Sequence, residues 1–416
     1  MEFELNDSQR RWRQEVRDFL AAQVPQELRD ELWQTGGPDS PEGPGPHLRV
    51  FWKKLSEKRW FGLTWPKEYG GLGRGAVDQQ ILLTELDYAG VPGPDLTVTS
   101  VAPMIMEHGT PQNKAEFLPG IAKGEITAAV GYSEPDAGTD LASLRTQAVL
   151  DGDEWVINGS KIWNSHAHHT THEWLCVRTD PLAPKHRGIS VIMVPIDTPG
   201  IEIRPLITWR GSRTNEAFFT DVRVPRTHLI GEVNKGWQYI TGALDLERGF
   251  IVFDGEMRRE VDRLIERCGT TTADGVRLAD RPEVRRRLAE LDAGVEVARL
   301  FALEAASQVD EGAIPTITLT TAKIYTSELR QKIADYGMQI FGAAGQLDRH
   351  DPDAPLNGAM EWLYRSSARF RFAGGTNEVL RDVIAQRGHG MPSSGRRPSR
   401  PADKTVADRE LNGANR

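Results

Sequence analysis

The first third of the chain has the periodicity of amphipathic helices. Asn6 and Gln9 form a candidate capping box, and apolar side chains then recur at helical spacing at positions 12, 16, 19, 20 and 24. A Pro/Gly-rich stretch at 35–47 interrupts the pattern, and further helical stretches cover residues 78–88, 96–108 and 111–123. We therefore predict an N-terminal helical domain over residues 1–125.

The middle of the chain consists of short runs rich in Val, Ile and aromatic residues. These runs cover residues 126–133, 147–150, 154–158, 173–178, 189–195 and 201–209, and turn pairs such as Asn158-Gly159 and Pro199-Gly200 separate them. Many short strands at this spacing are typical of a small β-barrel or sandwich. Residues 126–232 are predicted to form this central β domain.

Helical periodicity returns after Gly236. The predicted helices cover residues 236–267, 282–309, 317–341 and 356–369, with a last one beginning near Asn377. They are long enough for an antiparallel four-helix bundle, which we place at residues 233–390. Residues 391–416 are rich in Ser, Pro, Arg and Asn, and this composition predicts a disordered tail. The fold class is thus α+β.

Composition and charge narrow the class of protein. The chain has 416 residues and a formal net charge of −8, which argues against nucleic acid as the main partner. Cys176 and Cys268 are its only cysteines, which fits a reducing cytoplasm and excludes a disulfide framework. The acidic N-terminus lacks the layout of a signal peptide, and no apolar run could span a membrane. No Gly-x-Gly-x-x-Gly follows a predicted strand, which argues against a nicotinamide-binding Rossmann domain.

Four motifs follow one another in order on elements of the expected type. They are WPKEYGG at 65–71, GYSEPDAGTD at 131–140, NGSKIWNS at 158–165 and GGTNEVLR at 374–381. Together they resemble the signatures of the acyl-CoA dehydrogenase family, whose FAD-dependent enzymes desaturate an acyl-CoA thioester at its α and β carbons. The resemblance covers nearly all of the chain up to the tail, and it implies the same order of helical, β and helical-bundle domains.

The resemblance implies a binding site for FAD. A flavin ring needs an aromatic wall and hydrogen bonds at its polar edge. By the resemblance, Trp163 supplies the wall and Ser165 places a hydroxyl near the reactive nitrogen of the flavin. Further cofactor-binding positions are assigned in the same way to Tyr132, Ser133, Thr139, Thr376 and Glu378. Taken alone, Trp163 would also fit a strand aromatic packed in the core of the β domain.

A second glycine-containing segment is assigned to the pyrophosphate of FAD. Residues 339–345, QIFGAAG, resemble the family segment that meets the pyrophosphate from a neighbouring subunit, which assigns Gln339 and Gly342 to the cofactor. The second glycine of that segment is Ala343 here. A helix C-cap at Gly342 is the alternative interpretation.

The catalytic base has an unusual position. Abstraction of an α proton needs a carboxylate held in a dry pocket. Many family members carry a Glu where this chain has Gly374, whereas residues 244–248, LDLER, resemble the isovaleryl-CoA type, in which the Glu lies on a helix. Glu247 is therefore the candidate base, and Asp245 and Arg248 match positions near the acyl-CoA. A solvated Glu paired with an Arg is the alternative.

Four histidines follow the third motif, at positions 166, 168, 169 and 172. Their spacing fits no common zinc site and no Cys accompanies them, so we predict no metal. A polar turn, with His166 near the flavin, is the expected role.

One family segment is missing. An Arg-x-x-Phe-Gly segment usually reaches the flavin of the neighbouring subunit, but the corresponding residues 267–272 read RCGTTT. We therefore expect a tetramer that is a hetero-oligomer with a second acyl-CoA dehydrogenase-like chain. A homotetramer in which Arg285 or Arg286 substitutes is the alternative. As a whole, the chain looks most like actinobacterial members that act on steroid side chains and assemble from two different subunits.

The resemblance implies an acyl-CoA substrate, branched or steroid-like, and an electron-transfer flavoprotein or a similar electron acceptor. Two other functions remain open on the sequence. One is a flavin oxidase or monooxygenase on the same scaffold, and the other is a non-catalytic partner subunit of a heteromeric dehydrogenase.

Overall fold

The computed structural model describes residues 4–93, 95–250, 252, 254–270, 275 and 277–392, with the side chains of residues 248–250 left out of the description. The tail predicted from residue 391 therefore lies outside the described residues from 393 onward. The α-helices are α1 Asp7–Gln23, α2 Gln26–Thr35, α3 Pro46–Glu57, α4 Ala76–Ala89, α5 Ala102–His108, α6 Pro111–Lys123, α7 Gly236–Phe250, α8 Asp254–Gly269, α9 Pro282–Asp310, α10 Thr316–Phe341, α11 Ala359–Ser367 and α12 Asn377–Val383. The strands are β1 Ala128–Gly131, β2 Gln147–Asp151, β3 Glu154–Ile162, β4 His172–Arg178, β5 Ile189–Pro195, β6 Ile201–Ile207 and β7 Arg213–Pro225.

The N-terminal helices form as their periodicity predicts. The capping box at the start of α1 is confirmed, because Asn6 Oδ1 accepts from Gln9 N (3.0 Å) and Gln9 Oε1 accepts from Asn6 N (2.9 Å). Trp12, Val16 and Leu20 lie on one face of α1 and are buried. Residues 97–101 form a π-helical turn that leads into α5.

The strands form one curled sheet with the order β1-β4-β2-β3-β7-β6, and β5 pairs with β4. β4 is buried on both faces, and its side chains point alternately into two different hydrophobic cores. Trp174 and Cys176 pack with the N-terminal helices, whereas Leu175 and Val177 pack inside the β domain. The sheet is thereby fixed against the N-terminal domain.

The C-terminal helices differ from the sequence prediction at two places. The single helix predicted over 236–267 is wrong, because α7 ends at Phe250 and α8 begins at Asp254. The Asp254 carboxylate accepts from Thr84 Oγ1 of α4 (3.0 Å), so the start of α8 is anchored to the N-terminal domain. The helix predicted over 356–369 is present as α11, but it begins only at Ala359, because Leu356 and Asn357 form a left-handed turn before it.

A core of aliphatic side chains joins α8, α9, α10 and α11. The helix α7 packs instead on β5, on the turn at 97–101 and on α10, so it lies where the three domains meet. Within the described residues, no helix combines the length and apolarity needed to cross a membrane.

Candidate functional site

A large cavity opens at the junction of the three domains. Its volume is about 2320 Å³, and α4, the turn at 97–101, the end of β3, α7 and the loop before α12 all contribute to its wall. Of the residues singled out in the sequence, the cavity wall contains Tyr132, Ser133, Thr139, Trp163, Ser165, Glu247 and Thr376.

The turn after β3 projects Trp163 into this cavity. Ile162 N donates to Ser133 O (2.9 Å), and Asn164 N donates to Asn215 O (3.0 Å), so the turn is tied on both sides. Trp163 has a left-handed φ of 65° and a relative exposure of 60%. A bulky residue in this backbone region needs support from its surroundings. The alternative of a core aromatic is wrong, because the indole faces open space.

Several hydroxyl groups line the same cavity as the exposed indole. Ser165 Oγ lies 3.3 Å from Thr214 Oγ1, and Ser133 and Thr139 line the same cavity. The hydroxyl of Tyr132 accepts a hydrogen bond from Trp174 Nε1 (3.1 Å). Burial raises the pKa of Tyr132 well above its usual value, so the phenol is neutral.

A buried ion pair connects the segment after β1, which contains Tyr132 and Glu134, to β3. Lys161 Nζ donates to Glu134 Oε1 (2.9 Å) and to Tyr132 O (3.1 Å). The carboxylate also accepts from the backbone N–H groups of Arg145 (2.6 Å) and Thr146 (2.8 Å). Burial alone would raise the pKa of Glu134, but Lys161 and the bonds from Thr146 hold it below its usual value. The charge is therefore compensated as a buried carboxylate requires.

A second carboxyl group lies beneath the turn. Glu173 is fully buried in β4 and accepts a hydrogen bond from Asn164 Nδ2. Glu173 Oε2 and Asn164 Oδ1 are both buried, and neither has a hydrogen-bond partner among the described residues. Burial raises the pKa of Glu173 to about 8, against the opposing effects of Lys161 and Asn164. A neutral carboxyl at this position also supplies a donor, which a carboxylate lacks.

Glu247 reaches the cavity from α7. Trp237, Thr241, Leu244 and Glu247 recur at helical spacing and all line the cavity, so one face of α7 is turned toward it. The charge of Glu247 contributes to the raised pKa of Tyr132, which places the carboxylate near the segment that follows β1. The structure thus brings the candidate base and Trp163 to the same cavity.

Other predicted positions lie apart from this cavity. Gln339 is exposed at the end of α10, where its Nε2 donates to Asp335 Oδ2 (2.7 Å), and Gly342 follows it with φ of 56°. Asp245 is partly buried on α7 but does not line the cavity. Glu378, whose side chain is 74% exposed, does not line the cavity either. The side chain of Arg248 lies outside the described residues.

The loop before α12 is held by a buried lysine. Lys323 Nζ donates to Gly375 O (2.6 Å) and to Asn377 Oδ1 (3.0 Å). Thr376 caps α12 by accepting from Val379 N (3.2 Å). Gly374 and Gly375 have φ of 65° and 101°, which a side chain would disfavour. The position at which many family members carry a glutamate is therefore part of a glycine turn in this chain.

The histidine cluster holds the Pro/Gly-rich loop against the β domain. The contacts are His166 Nε2 to Asp39 Oδ1 (2.9 Å), His168 Nε2 to Ser40 O (3.2 Å) and His169 Nε2 to Pro38 O (3.1 Å). Burial is the main cause that lowers the pKa of His168 and of His169 to about 4. Among the described residues, no group of three or more His, Cys, Asp or Glu side chains is placed to hold a metal ion.

Sequence reasoning missed Asp39, which connects three parts of the chain. It pairs with Arg210 after β6 and with Arg369 after α11 (3.4 Å), in addition to His166. Burial alone would raise the pKa of Asp39, but Arg369, His166 and Arg210 hold it well below its usual value. The partners are far apart in sequence, so no local motif marks them.

Three family models match successive parts of the chain. They describe the N-terminal, middle and C-terminal domains of acyl-CoA dehydrogenases and cover residues 6–125, 129–222 and 234–389. The chain therefore belongs to the acyl-CoA dehydrogenase family, whose members are oxidoreductases acting on CH–CH bonds.

Individual relatives and solved structures are similar to this chain over nearly its full length. The acyl-CoA dehydrogenase FadE26 of Mycobacterium tuberculosis is 39% identical over 406 residues, which cover 95% of this chain and 100% of the relative. A solved structure named as the Tcur3481-Tcur3483 steroid ACAD is 38% identical, with a TM-score of 0.87 over 95% of this chain and 100% of the other. The ChsE4-ChsE5 complex from Mycobacterium tuberculosis is 38% identical, with a TM-score of 0.86 over 94% and 100% of the two chains.

Proposed function

We propose that this chain is an FAD-dependent acyl-CoA dehydrogenase in which Glu247 is the catalytic base. The observation that carries the proposal is that Glu247 and the exposed Trp163 line one cavity at the junction of three domains. The cavity also meets the general requirement for such a site, a concave and mostly apolar pocket with a few polar groups.

The residues around Trp163 fit an isoalloxazine ring. The exposed indole offers a flat apolar wall, and its left-handed backbone is supported by the tied turn. The hydroxyl groups of Ser133, Thr139 and Ser165 lie along the same cavity and would meet the polar edge of the ring or the adjoining phosphate. Gly374 and Gly375 leave the loop beside Thr376 free of side chains.

Glu247 would take the proton from the α carbon of the thioester. The C–H bond at the α carbon breaks, its proton moves to the carboxylate, and the electron pair forms the new double bond as hydride leaves the β carbon. Bound FAD would supply the acceptor for that hydride. Many family members carry the catalytic Glu at the position of Gly374, so Glu247 remains the candidate carboxylate in this chain. By the resemblance, Asp245 and Arg248 would help to position the acyl-CoA.

The exposed segment that ends α10 supports an assembly of several subunits. Gln339 and Gly342 lie outside the cavity of their own chain, as expected of residues that contact the FAD of a neighbour. Two of the similar structures carry names with two components, Tcur3481-Tcur3483 and ChsE4-ChsE5. We propose that this chain also pairs with a second dehydrogenase-like chain and passes electrons to an electron-transfer flavoprotein or a similar acceptor.

An anaerobic titration tests the proposed function. The purified chain, expressed with and without a dehydrogenase-like partner, would be mixed with short, branched, long and steroid-type acyl-CoA thioesters. We expect a yellow protein whose flavin absorbance is lost on addition of a suitable thioester. Protein that takes up no FAD in either preparation would refute the proposal. Rapid oxygen consumption by the reduced protein would identify an oxidase instead.

A further inference from the structure

A carboxyl group lies in the cavity wall away from the residues assigned to catalysis. Leu83 and Asp87 are four residues apart on α4 and both line the cavity, so this face of the helix is turned toward it. Asp87 is partly accessible because it borders the cavity, although its carboxyl lies deep in the protein. Burial, with a smaller contribution from Asp254, raises its pKa to about 7.

The acidic side chains of Asp254, Glu256 and Glu260, on the neighbouring helix α8, already have hydrogen-bond or ion-pair partners within the protein. Glu260 accepts from Arg259 Nε (2.9 Å) and Arg263 Nη1 (3.0 Å), and Asp254 accepts from Thr84 Oγ1 (3.0 Å). Glu256 forms an ion pair with Arg330. These groups are held by the protein itself and offer little to a ligand.

Asp87 differs from these neighbours. Its carboxylate oxygens form no hydrogen bond and no ion pair within the part of the chain that the structure describes. Two cations oppose the rise in the pKa of Asp87, first Arg330 and then Arg259. Arg330 forms its ion pair with Glu256, and Arg259 donates to the backbone carbonyl of Asp87 (2.6 Å) and to Glu260, so both guanidinium groups are also engaged elsewhere. An uncommitted polar group in a deep cavity is costly unless a ligand or water satisfies it.

Several apolar side chains line the cavity that Glu247 and Asp87 share. Leu244 of α7 and Leu83, Val91 and Leu96 line the same cavity, and the turn at 97–101 contacts α7. An acyl group whose α carbon lies at Glu247 would therefore pass along hydrocarbon side chains before it meets the carboxyl of Asp87.

We infer that Asp87 is a specificity-determining residue, which recognises a neutral oxygen function at the far end of the acyl group. A hydroxyl would donate to the carboxylate, and a ketone would accept from the protonated acid, so one residue serves both forms. A carboxylate on the substrate would be repelled by ionised Asp87. This inference rests on the proposed function, because it takes the cavity as the acyl-binding site.

The test compares matched thioesters on the same enzyme. Octanoyl-, dodecanoyl- and hexadecanoyl-CoA would be measured against their ω-hydroxy counterparts, with kcat/KM for each. We expect wild type to prefer the hydroxylated member by at least ~10-fold at the chain length that reaches Asp87. Asp87→Ala should lower this ratio by a similar factor while turnover of the hydrocarbon chains persists. Asp87→Asn, which keeps a donor and an acceptor, should retain part of the preference.

A control variant tests whether the effect of Asp87→Ala is specific to this position or follows from the loss of any carboxylate in the cavity wall. Glu125 also lines the cavity but is exposed, so Glu125→Ala should leave the ratio unchanged. The inference fails if wild type bleaches with the thioesters but shows no preference at any length, or if Asp87→Ala slows both members of each pair equally. Wild type that bleaches with no thioester at all would overturn the proposed function, and this inference with it.

Discussion

Lys161 Nζ donates a 2.9 Å hydrogen bond to Glu134 Oε1 in the interior of the protein, and this pair joins the segment after β1 to the strand that carries Trp163. The same ammonium donates to the carbonyl of Tyr132, so one side chain fixes both halves of the candidate flavin site. Together with the backbone bond from Ile162 N to Ser133 O, this buried cation sets the relative position of the two segments that carry Trp163 and Ser133.

Removal of this cation should destabilise the protein. Lys161→Met leaves the Glu134 carboxylate buried with only its backbone donors, and loss of one partner of a buried pair costs about 3–5 kcal/mol. The free energy of unfolding would be measured by urea denaturation. The control is Lys185→Met, which breaks an exposed 2.7 Å pair with Asp140 and should cost less than ~1 kcal/mol. Equal losses in the two variants would contradict this account.

Trp163 should affect FAD retention more than stability. Its side chain is 60% exposed, so Trp163→Ala removes little buried area from the apoprotein. We expect a melting temperature near that of wild type but a weaker affinity for FAD, measured by flavin fluorescence during dilution. Trp163→Phe keeps a flat ring and should restore most of the binding. If Trp163→Ala holds FAD as tightly as wild type, the indole does not form a wall of the flavin site.

Glu247→Gln should abolish most turnover and leave binding intact. The amide keeps the size of the side chain but cannot accept the α proton, and loss of a general base lowers rates by about 100-fold or more. Single-turnover flavin reduction would measure the rate, and the spectral shift on adding acyl-CoA would measure binding. Glu15→Gln, the same change at an exposed position of α1, is the matched control and should leave both quantities unchanged. Turnover of Glu247→Gln within a few-fold of wild type would require another carboxylate as the base.

The sequence predicted most of the elements, but it missed one strand of the sheet. The strand β7 was missed because its buried positions change phase, from Ala217 and Phe219 to Val222 and Val224, across the left-handed Asp221. A period-two pattern is therefore broken in the middle of the strand.

Only those parts of the candidate site whose residues lie close together in the sequence could be predicted. Trp163 and Ser165 lie within one motif, so their shared turn could be expected from the sequence. The pairing of Asp39 with Arg210 and Arg369 joins residues 171 and 330 positions apart, and charged side chains carry no mark of such partners. The accessibility of Asp87 to the cavity is likewise a tertiary property.

The buried Glu173 should give stability a specific pH dependence. Its pKa is raised to about 8 in the folded protein, whereas an unfolded Glu titrates near ~4.3. The folded state then binds the proton more tightly, so this contribution is complete below ~4.3 and is lost as pH rises toward 8. The slope is at most about 1.4 kcal/mol per pH unit.

Glu173→Gln cannot titrate and should flatten this part of the profile. The difference in free energy of unfolding between the variant and wild type would be followed from pH 5 to about 9, since Glu173 is predicted to ionise within that range. The variant should gain relative stability as pH rises. Glu15→Gln, at an exposed position of α1, should show no such trend. A pH-independent difference for Glu173→Gln would mean that the carboxyl is ionised in the folded state.

The last prediction concerns assembly. Residues 267–272 lack the Arg-x-x-Phe-Gly pattern that, by the resemblance, reaches the FAD of a neighbouring subunit. Two copies of this chain would then leave the FAD phosphates without a cationic partner, and charge-assisted hydrogen bonds are among the stronger polar contacts. A second dehydrogenase-like chain that carries this segment would restore the contact.

We therefore expect the chain expressed alone to bind FAD weakly, and the co-expressed pair to form a tetramer with fewer flavins than subunits. Mass measurement in solution and flavin absorbance per chain would establish both quantities. Introducing an Arg-x-x-Phe-Gly segment at 267–271 should raise FAD retention of the chain expressed alone, whereas the same change in the co-expressed pair should have little effect. Arg285→Ala and Arg286→Ala test the competing homotetramer, in which one of these residues would contact the phosphates and its loss would release FAD. A homotetramer with one tightly bound FAD per chain and full activity alone would refute the heteromeric assembly while leaving the role of Glu247 unaffected.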